Sequence, residues 1–195
     1  MIIKQEGAMQ RNTIPAVVVA VLGVAAAGAQ ADTQRPTATA ELIDTEGEAI
    51  GTAELTQGPD GVLLRFDLED LPGGGRYHAF HIHRYGDCSD PGEGFQASGG
   101  HLNPQGRAHG LLNPDGPDAG DFANLYADGD GTVDAEFFTP HASLDGTTGA
   151  RILDDDGAAL VIHARPDDHV SQPIGGAGAR IACGVIEGSS GQTGE

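Results

Sequence analysis

Short runs of alternating apolar and polar residues, broken again and again by Gly, Pro and Asp, constrain this chain more than any other feature of it. Such runs occupy 37–43, 49–55, 62–68, 77–84, 123–127, 132–138, 158–164 and 179–187. Alternation with period two sends successive side chains to opposite faces of a strand, and no stretch holds a convincing helical period. The separators carry turn chemistry, as in Gln57-Gly58-Pro59-Asp60-Gly61. About eight strands, with 31 Gly and 11 Pro gathered between them, predict an all-β, antiparallel sandwich or barrel. The two longest connections, 85–122 and 165–178, are longer than a compact domain needs, and loops of that kind usually carry function.

At 195 residues and 38% hydrophobic content, one ordinary domain with its own core is expected. The formal net charge of -19 argues against nucleic acid and anionic membrane surfaces as partners, since both demand a basic patch. Near the start, Arg11 precedes an apolar run over 14–27 that is too short for a comfortable span and ends in Ala29-Gln30-Ala31. Residues 1–31 therefore read as a cleaved secretory signal, which implies a periplasmic or otherwise secreted mature protein that is not membrane-bound after cleavage. The domain is expected over 36–187, with a Gly/Ser-rich disordered tail at 188–195. Two cysteines, Cys88 and Cys183, are the whole thiol inventory, and an even number in an exported chain suggests one disulfide.

Within this frame the stretch Phe80-His81-Ile82-His83 stands out. Side chains two apart on a strand leave by one face, so His81 and His83 can present two imidazoles to one metal ion. In isolation such a pair reads rather as two solvent-facing histidines on an edge strand. It is accompanied by His101, His109, Asp121 and His163, and by Arg180 in the late segment 178–186.

The segments His78-Ala79-Phe80-His81-Ile82-His83-Arg84-Tyr85-Gly86-Asp87, Gly99-Gly100-His101-Leu102-Asn103-Pro104, Val161-Ile162-His163 and 178–186 resemble, in order, the signature segments of copper/zinc superoxide dismutases of the bacterial secreted type. The resemblance covers 36–187 and implies an eight-stranded Greek-key sandwich or barrel with long metal-binding and electrostatic loops. It implies copper held by His81, His83, His101 and His163, and zinc held by His101, His109 and Asp121. The family pattern has a third zinc histidine where this chain has Asp118, a carboxylate that can still ligate zinc through oxygen. It further implies Asp167 as a carboxylate orienting a copper-side and a zinc-side histidine, a Cys88–Cys183 bridge, and a structural role for His78. Arg180 and His101 would be catalytic, the first attracting superoxide and the second bridging the metals and handling a proton. His141 and His169 are expected at the surface.

The implied activity is dismutation of superoxide to dioxygen and hydrogen peroxide by a redox-cycling copper ion beside a zinc site of altered ligand set. A periplasmic copper-binding or copper-delivery module on the same sandwich is the alternative; Arg180 and Asp167, which storage alone would not require, favour the enzyme. The monomer and the homodimer are both open at this stage.

Overall fold

A computed structural model describes residues 35–189; the expected signal segment at 1–31 and the last six residues, 190–195, lie outside the described residues. The regular elements of the described chain are all strands apart from two single turns of 3-10 helix, Pro91–Glu93 and Gln96–Ser98, in the first long loop. The strands are β1 Thr37–Asp44, β2 Ala49–Gly58, β3 Gly61–Leu68, β4 Arg76–His78, β5 Phe80–His83, β6 Leu125–Ala127, β7 Val133–Thr139, β8 Ala142–Ser143, β9 Ala150–Arg151, β10 Ala159–His163 and β11 Arg180–Gly188. Seven of them form one antiparallel sheet in the order β5-β10-β11-β1-β2-β3-β7. The last strand returns to lie beside the first, which gives the Greek-key order β11-β1-β2-β3.

Alternation explains why this sheet forms. In β3 the residues Val62, Leu64, Phe66 and Leu68 are fully buried while Leu63, Arg65 and Asp67 are exposed. The sheet curls so that its two ends meet across the core. Phe80 on β5 stacks on Phe122 with ring centroids 4.7 Å apart, and meets Phe66 of β3 at 4.9 Å and Phe137 of β7 at 4.7 Å. Edge-to-face aromatic pairs of this kind add to the burial term that drives the closure.

The segment expected as one strand over 77–84 breaks at Ala79. Its first part pairs with β6 and its second with β10, and Ala79 forms the corner: its N–H donates to Arg165 O, and its carbonyl accepts from His163 N, both at 2.9 Å. A two-residue parallel ladder, β8 with β9, was not expected either. At the C-terminal end β11 runs on to Gly188, and Ser189 N–H donates to Thr37 O at 3.0 Å, so the start of the expected tail belongs to the sheet.

Both faces of β5, β10 and β11 are covered. Phe80, Ile82, Leu160, Ile162 and Ala182 point into the main core. On the opposite face Ala159, Val161, Cys183 and Val185 pack with Cys88 and Phe95, delivered by the loop that follows β5. The bridge Cys88–Cys183, with Cα atoms 5.8 Å apart, pins that loop to β11. The loop also pairs with the outer edge of β5: Ile82 N–H donates to Gly120 O at 3.0 Å, and Ile82 O accepts from Leu102 N at 2.8 Å. Glycine is required for that approach, because a Cβ on Gly120 would lie 2.3 Å from Ile82 O.

Candidate metal centre

Strand register sets up the site. His81 pairs with Val161 and His83 with Ala159, so the two histidines share the covered outer face with that second apolar layer. A β-bulge between Ile162 and His163 shifts the register of β10 on β11 and sets His163 opposite Arg180. Bulges recur next to active sites because they re-aim side chains in this way. Isolated bridges from the loop, His83 with His101 and His81 with Asp121, bring the remaining residues alongside.

Besides His169 Nδ1, four imidazole nitrogens among the described residues are buried without any hydrogen-bond partner: His81 Nδ1, His83 Nε2, His101 Nε2 and His163 Nε2. The opposite nitrogen of each is fixed. His83 Nδ1–H donates to Gly99 O at 3.0 Å and His163 Nδ1–H to Gly178 O at 3.1 Å, while His81 Nε2–H donates to Asp167 Oδ2 at 2.9 Å. Carbonyl and carboxylate oxygens only accept, so the unpartnered nitrogen of each neutral ring carries a lone pair. Leaving one such buried acceptor unsatisfied costs about 1–3 kcal/mol. Single ligand atoms of His81, His83 and His163 lie within 4.8 Å of one another, and the His101 ring stacks on His81 at 4.1 Å. Convergent imidazole lone pairs suit copper, and second contacts that fix each tautomer are the usual support for such ligands.

A second cluster joins His101, His109 and Asp121 to His81, again within 4.8 Å. Asp118 is not part of that mutually close set, yet its Oδ2 is 3.0 Å from His101 Nδ1. Asp121 Oδ1 lies 2.6 Å from His109 Nδ1 and 3.4 Å from His101 Nδ1. Each carboxylate has its other oxygen tied to main-chain N–H groups, Asp118 Oδ1 by Gly120 and Asp121 Oδ2 by Gly110 and Asp118. The free oxygens are thereby aimed at the two Nδ1 atoms. Ligand atoms around a tetrahedral zinc stand about 3.3 Å apart for bonds of about 2.0–2.1 Å, and these separations of 2.6, 3.0 and 3.4 Å bracket that value. Asp167 spans the two clusters, with His81 Nε2 on Oδ2 and His109 Nε2 3.2 Å from Oδ1.

Arg180 flanks the first cluster in the cleft that His83, His101 and His163 also line. Among the described residues it makes no ion pair; its guanidinium donates to Ser98 Oγ at 3.2 Å, to Gly99 O at 2.7 Å and to Phe95 O. Arg84 lines the same cleft, lying over the Tyr85 ring at 4.9 Å, and Arg107 is held by Pro117 O and Gly116 O. His78 is used up structurally, with its nitrogens 2.8 Å from His163 O and 3.2 Å from Gly73 O.

Several supporting residues gave no signal in the sequence. Asn124 clamps the Asp167 main chain with two hydrogen bonds of 2.8 and 2.9 Å, and Gln172 does the same for His109 at 2.8 and 3.1 Å. His141 is exposed, but His169 departs from the surface position expected for it. Its side chain is 18% exposed, with Nδ1 3.8 Å from Asp167 Oδ1 and Nε2 accepting from Asn124 Nδ2 at 3.3 Å.

Burial holds His81 down to about 4, against the Asp167 hydrogen bond, and His163 down to about 3, helped by the charge of His81; burial also keeps His83 well below its ordinary value. Burial would lower His109 as well, but hydrogen bonds to Asp121 and Asp167 outweigh it and hold the ring up to about 10; in His101 the bonds to Asp118 and Asp121 likewise win. Linkage then fixes the sign of the pH response of metal-free protein. The three depressed rings refuse protons that the unfolded chain takes up below 6.5, so stability is lost as pH falls from 6.5 toward 4. Each contributes at most about 1.4 kcal/mol per pH unit. The raised rings act oppositely, with stability full below 6.5 and lost as pH rises toward 10. Urea unfolding of metal-stripped protein should give a midpoint that peaks near pH 6.5. A midpoint rising steadily from about pH 4 to about pH 9 would contradict this.

The family description that matches the chain, over residues 49–186, is copper/zinc superoxide dismutase (SODC). The chain is 48% identical over 147 residues to copper–zinc superoxide dismutase 2 of Aquifex aeolicus, covering 75% of this chain and 84% of that one. It is 47% identical over 152 residues to the copper–zinc superoxide dismutase of Caulobacter vibrioides, covering 77% and 85%. The crystal structure of a SOD-like protein from Bacillus subtilis superposes with a TM-score of 0.69 at 37% identity, over 75% of this chain and 96% of that one. Fold, clustered histidines and relatives agree that the chain belongs to the copper/zinc superoxide dismutase family, whose members are oxidoreductases that bind copper and zinc.

Proposed function

We propose that the chain dismutes superoxide at a copper ion held by His81, His83, His101 and His163, beside a zinc ion held by His101, His109, Asp118 and Asp121. The observation that carries this reading is the set of four buried, unpartnered imidazole nitrogens, each backed by a fixed contact on the opposite side of its ring. Copper, when bound, supplies a one-electron couple, so that two superoxide anions and two protons become dioxygen and hydrogen peroxide. The residues do the rest. Arg180 offers a fixed positive charge in the cleft of a chain that carries a net charge of -19 and would otherwise repel an anion. His101 holds a proton at Nε2 in the step that forms peroxide and gives it to the departing product. Asp167 keeps the His81 and His109 rings in register.

A second carboxylate among the zinc ligands makes that site harder and more negative than one with three neutral imidazoles, and favours oxygen-seeking cations. The copper-delivery alternative finds no support in relatives that are themselves named superoxide dismutases. A secreted or periplasmic location belongs to the same reading; no helix among the described residues is long and apolar enough to cross a membrane.

The test is superoxide consumption by purified mature protein loaded with copper alone, then with copper and zinc. Fast copper-dependent turnover that zinc increases is expected. Stoichiometric copper binding without turnover would leave only the copper-handling module.

A further inference from the structure

We propose that Ser98 is a positioning residue for this reaction, its hydroxyl tying the Arg180 guanidinium to the His83 imidazole so that the two keep a fixed relation. The inference rests on the reading of His83 as a copper ligand.

Ser98 ends the short helical turn Gln96–Ser98 and is fully buried. Its Oγ has three polar neighbours: Phe95 O at 2.8 Å, His83 Nδ1 at 3.1 Å and an Arg180 terminal nitrogen at 3.2 Å. Their roles follow by elimination. A carbonyl only accepts, so the hydroxyl proton goes to Phe95 O. Arginine only donates. His83 Nδ1 also faces Gly99 O at 3.0 Å, which makes it a donor. One proton and two lone pairs are therefore all in use, and no rotation of the hydroxyl improves on that.

The result is a shared pair of acceptors. Ser98 Oγ and Gly99 O each accept from both His83 and Arg180. Gly99 contributes a main-chain carbonyl that any residue would have, so the side chain of Ser98 is the part of the link that the sequence specifies. Accepting from Nδ1–H strengthens an imidazole as a donor at its other nitrogen. Accepting at the same time from a guanidinium sets how far that strengthening goes, and fixes where the cation stands relative to the ring. Asp90 braces the arrangement from behind, with Oδ2 accepting from Ala97 N at 3.0 Å and its carbonyl from Phe95 N at 3.1 Å.

Two variants test this, Ser98→Ala and Ser98→Thr, each loaded with copper and zinc. In Ser98→Ala the copper reduction potential should move to more positive values, because His83 loses one acceptor. Its copper(II) paramagnetic resonance spectrum should change, and kcat/KM should fall about tenfold with a weakened dependence on salt. Ser98→Thr, which keeps the hydroxyl, should return the potential toward that of the parent protein. A Ser98→Ala protein with the parent's potential, spectrum and kcat/KM would overturn the inference whether or not the threonine variant folds. Failure of the underlying copper reading looks different: the parent protein's own copper(II) spectrum would then lack nitrogen coupling.

Discussion

Copper- and zinc-loaded His101→Ala should lose superoxide turnover by about 100- to 10000-fold, the range expected for removing a group that moves a proton in the reaction. The size of the loss comes from where the ring stands. Its centroid lies 4.1 Å from His81 and 5.5 Å from His83, with Nε2 unpartnered, while Nδ1 meets Asp118 at 3.0 Å and Asp121 at 3.4 Å. One substitution therefore takes a donor from each cluster. Zinc content should fall together with turnover, and metal analysis of the dialysed variant would show it. Rapid-mixing turnover close to that of the parent, with both metals retained, would remove His101 from the mechanism.

Breaking the Cys88–Cys183 bridge should act twice. As a constraint between positions 95 residues apart it should contribute about 2–4 kcal/mol to stability. The double variant Cys88→Ser with Cys183→Ser avoids a stray thiol, and urea unfolding of its metal-free form reads that term. The second effect appears while the variant is still folded. The loop segment that Cys88 anchors provides Phe95 O, Ser98 Oγ and Gly99 O, the groups that hold Arg180. With the anchor gone, kcat/KM should fall and its salt dependence flatten, because the guanidinium no longer keeps one position. Unchanged kinetics in a destabilised protein would mean that the buried Phe95 side chain alone holds the segment in place.

How much of this was legible in the chain depends on the range of the contact. His81 and His83 could be placed on one face because strand alternation is local, and Phe80 and Ile82 do point to the opposite, core side. The all-β class followed from the same periodicity. The corner at Ala79 was invisible, since it is made by Arg165 and His163, more than eighty residues downstream along the chain. The bulge that sets His163 opposite Arg180 is a property of two paired strands and leaves no mark on either one. Asn124, Gln172 and Ser98 are ordinary loop residues until the fold brings them to partners 43, 63 and 82 positions away. His169 shows the same limit: in the loop after the His163 strand it read as surface, and the left-handed turn at φ 63° folds it back beside Asp167.

The pairing of the long loop with Ile82 has a consequence beyond the metal centre. β5 ends the seven-stranded sheet, and a terminal strand with bare amide and carbonyl groups is a template on which other chains can add strands. Here Arg84 N–H, Ile82 N–H and Ile82 O are taken by Gly100, Gly120 and Leu102 of the chain's own loop. The same loop carries His101, His109, Asp118 and Asp121, so the segment proposed to hold the cations also seals the border against self-association. Whatever loosens that loop, whether chelation, acid or reduction, should make the protein sticky before it makes it unfolded.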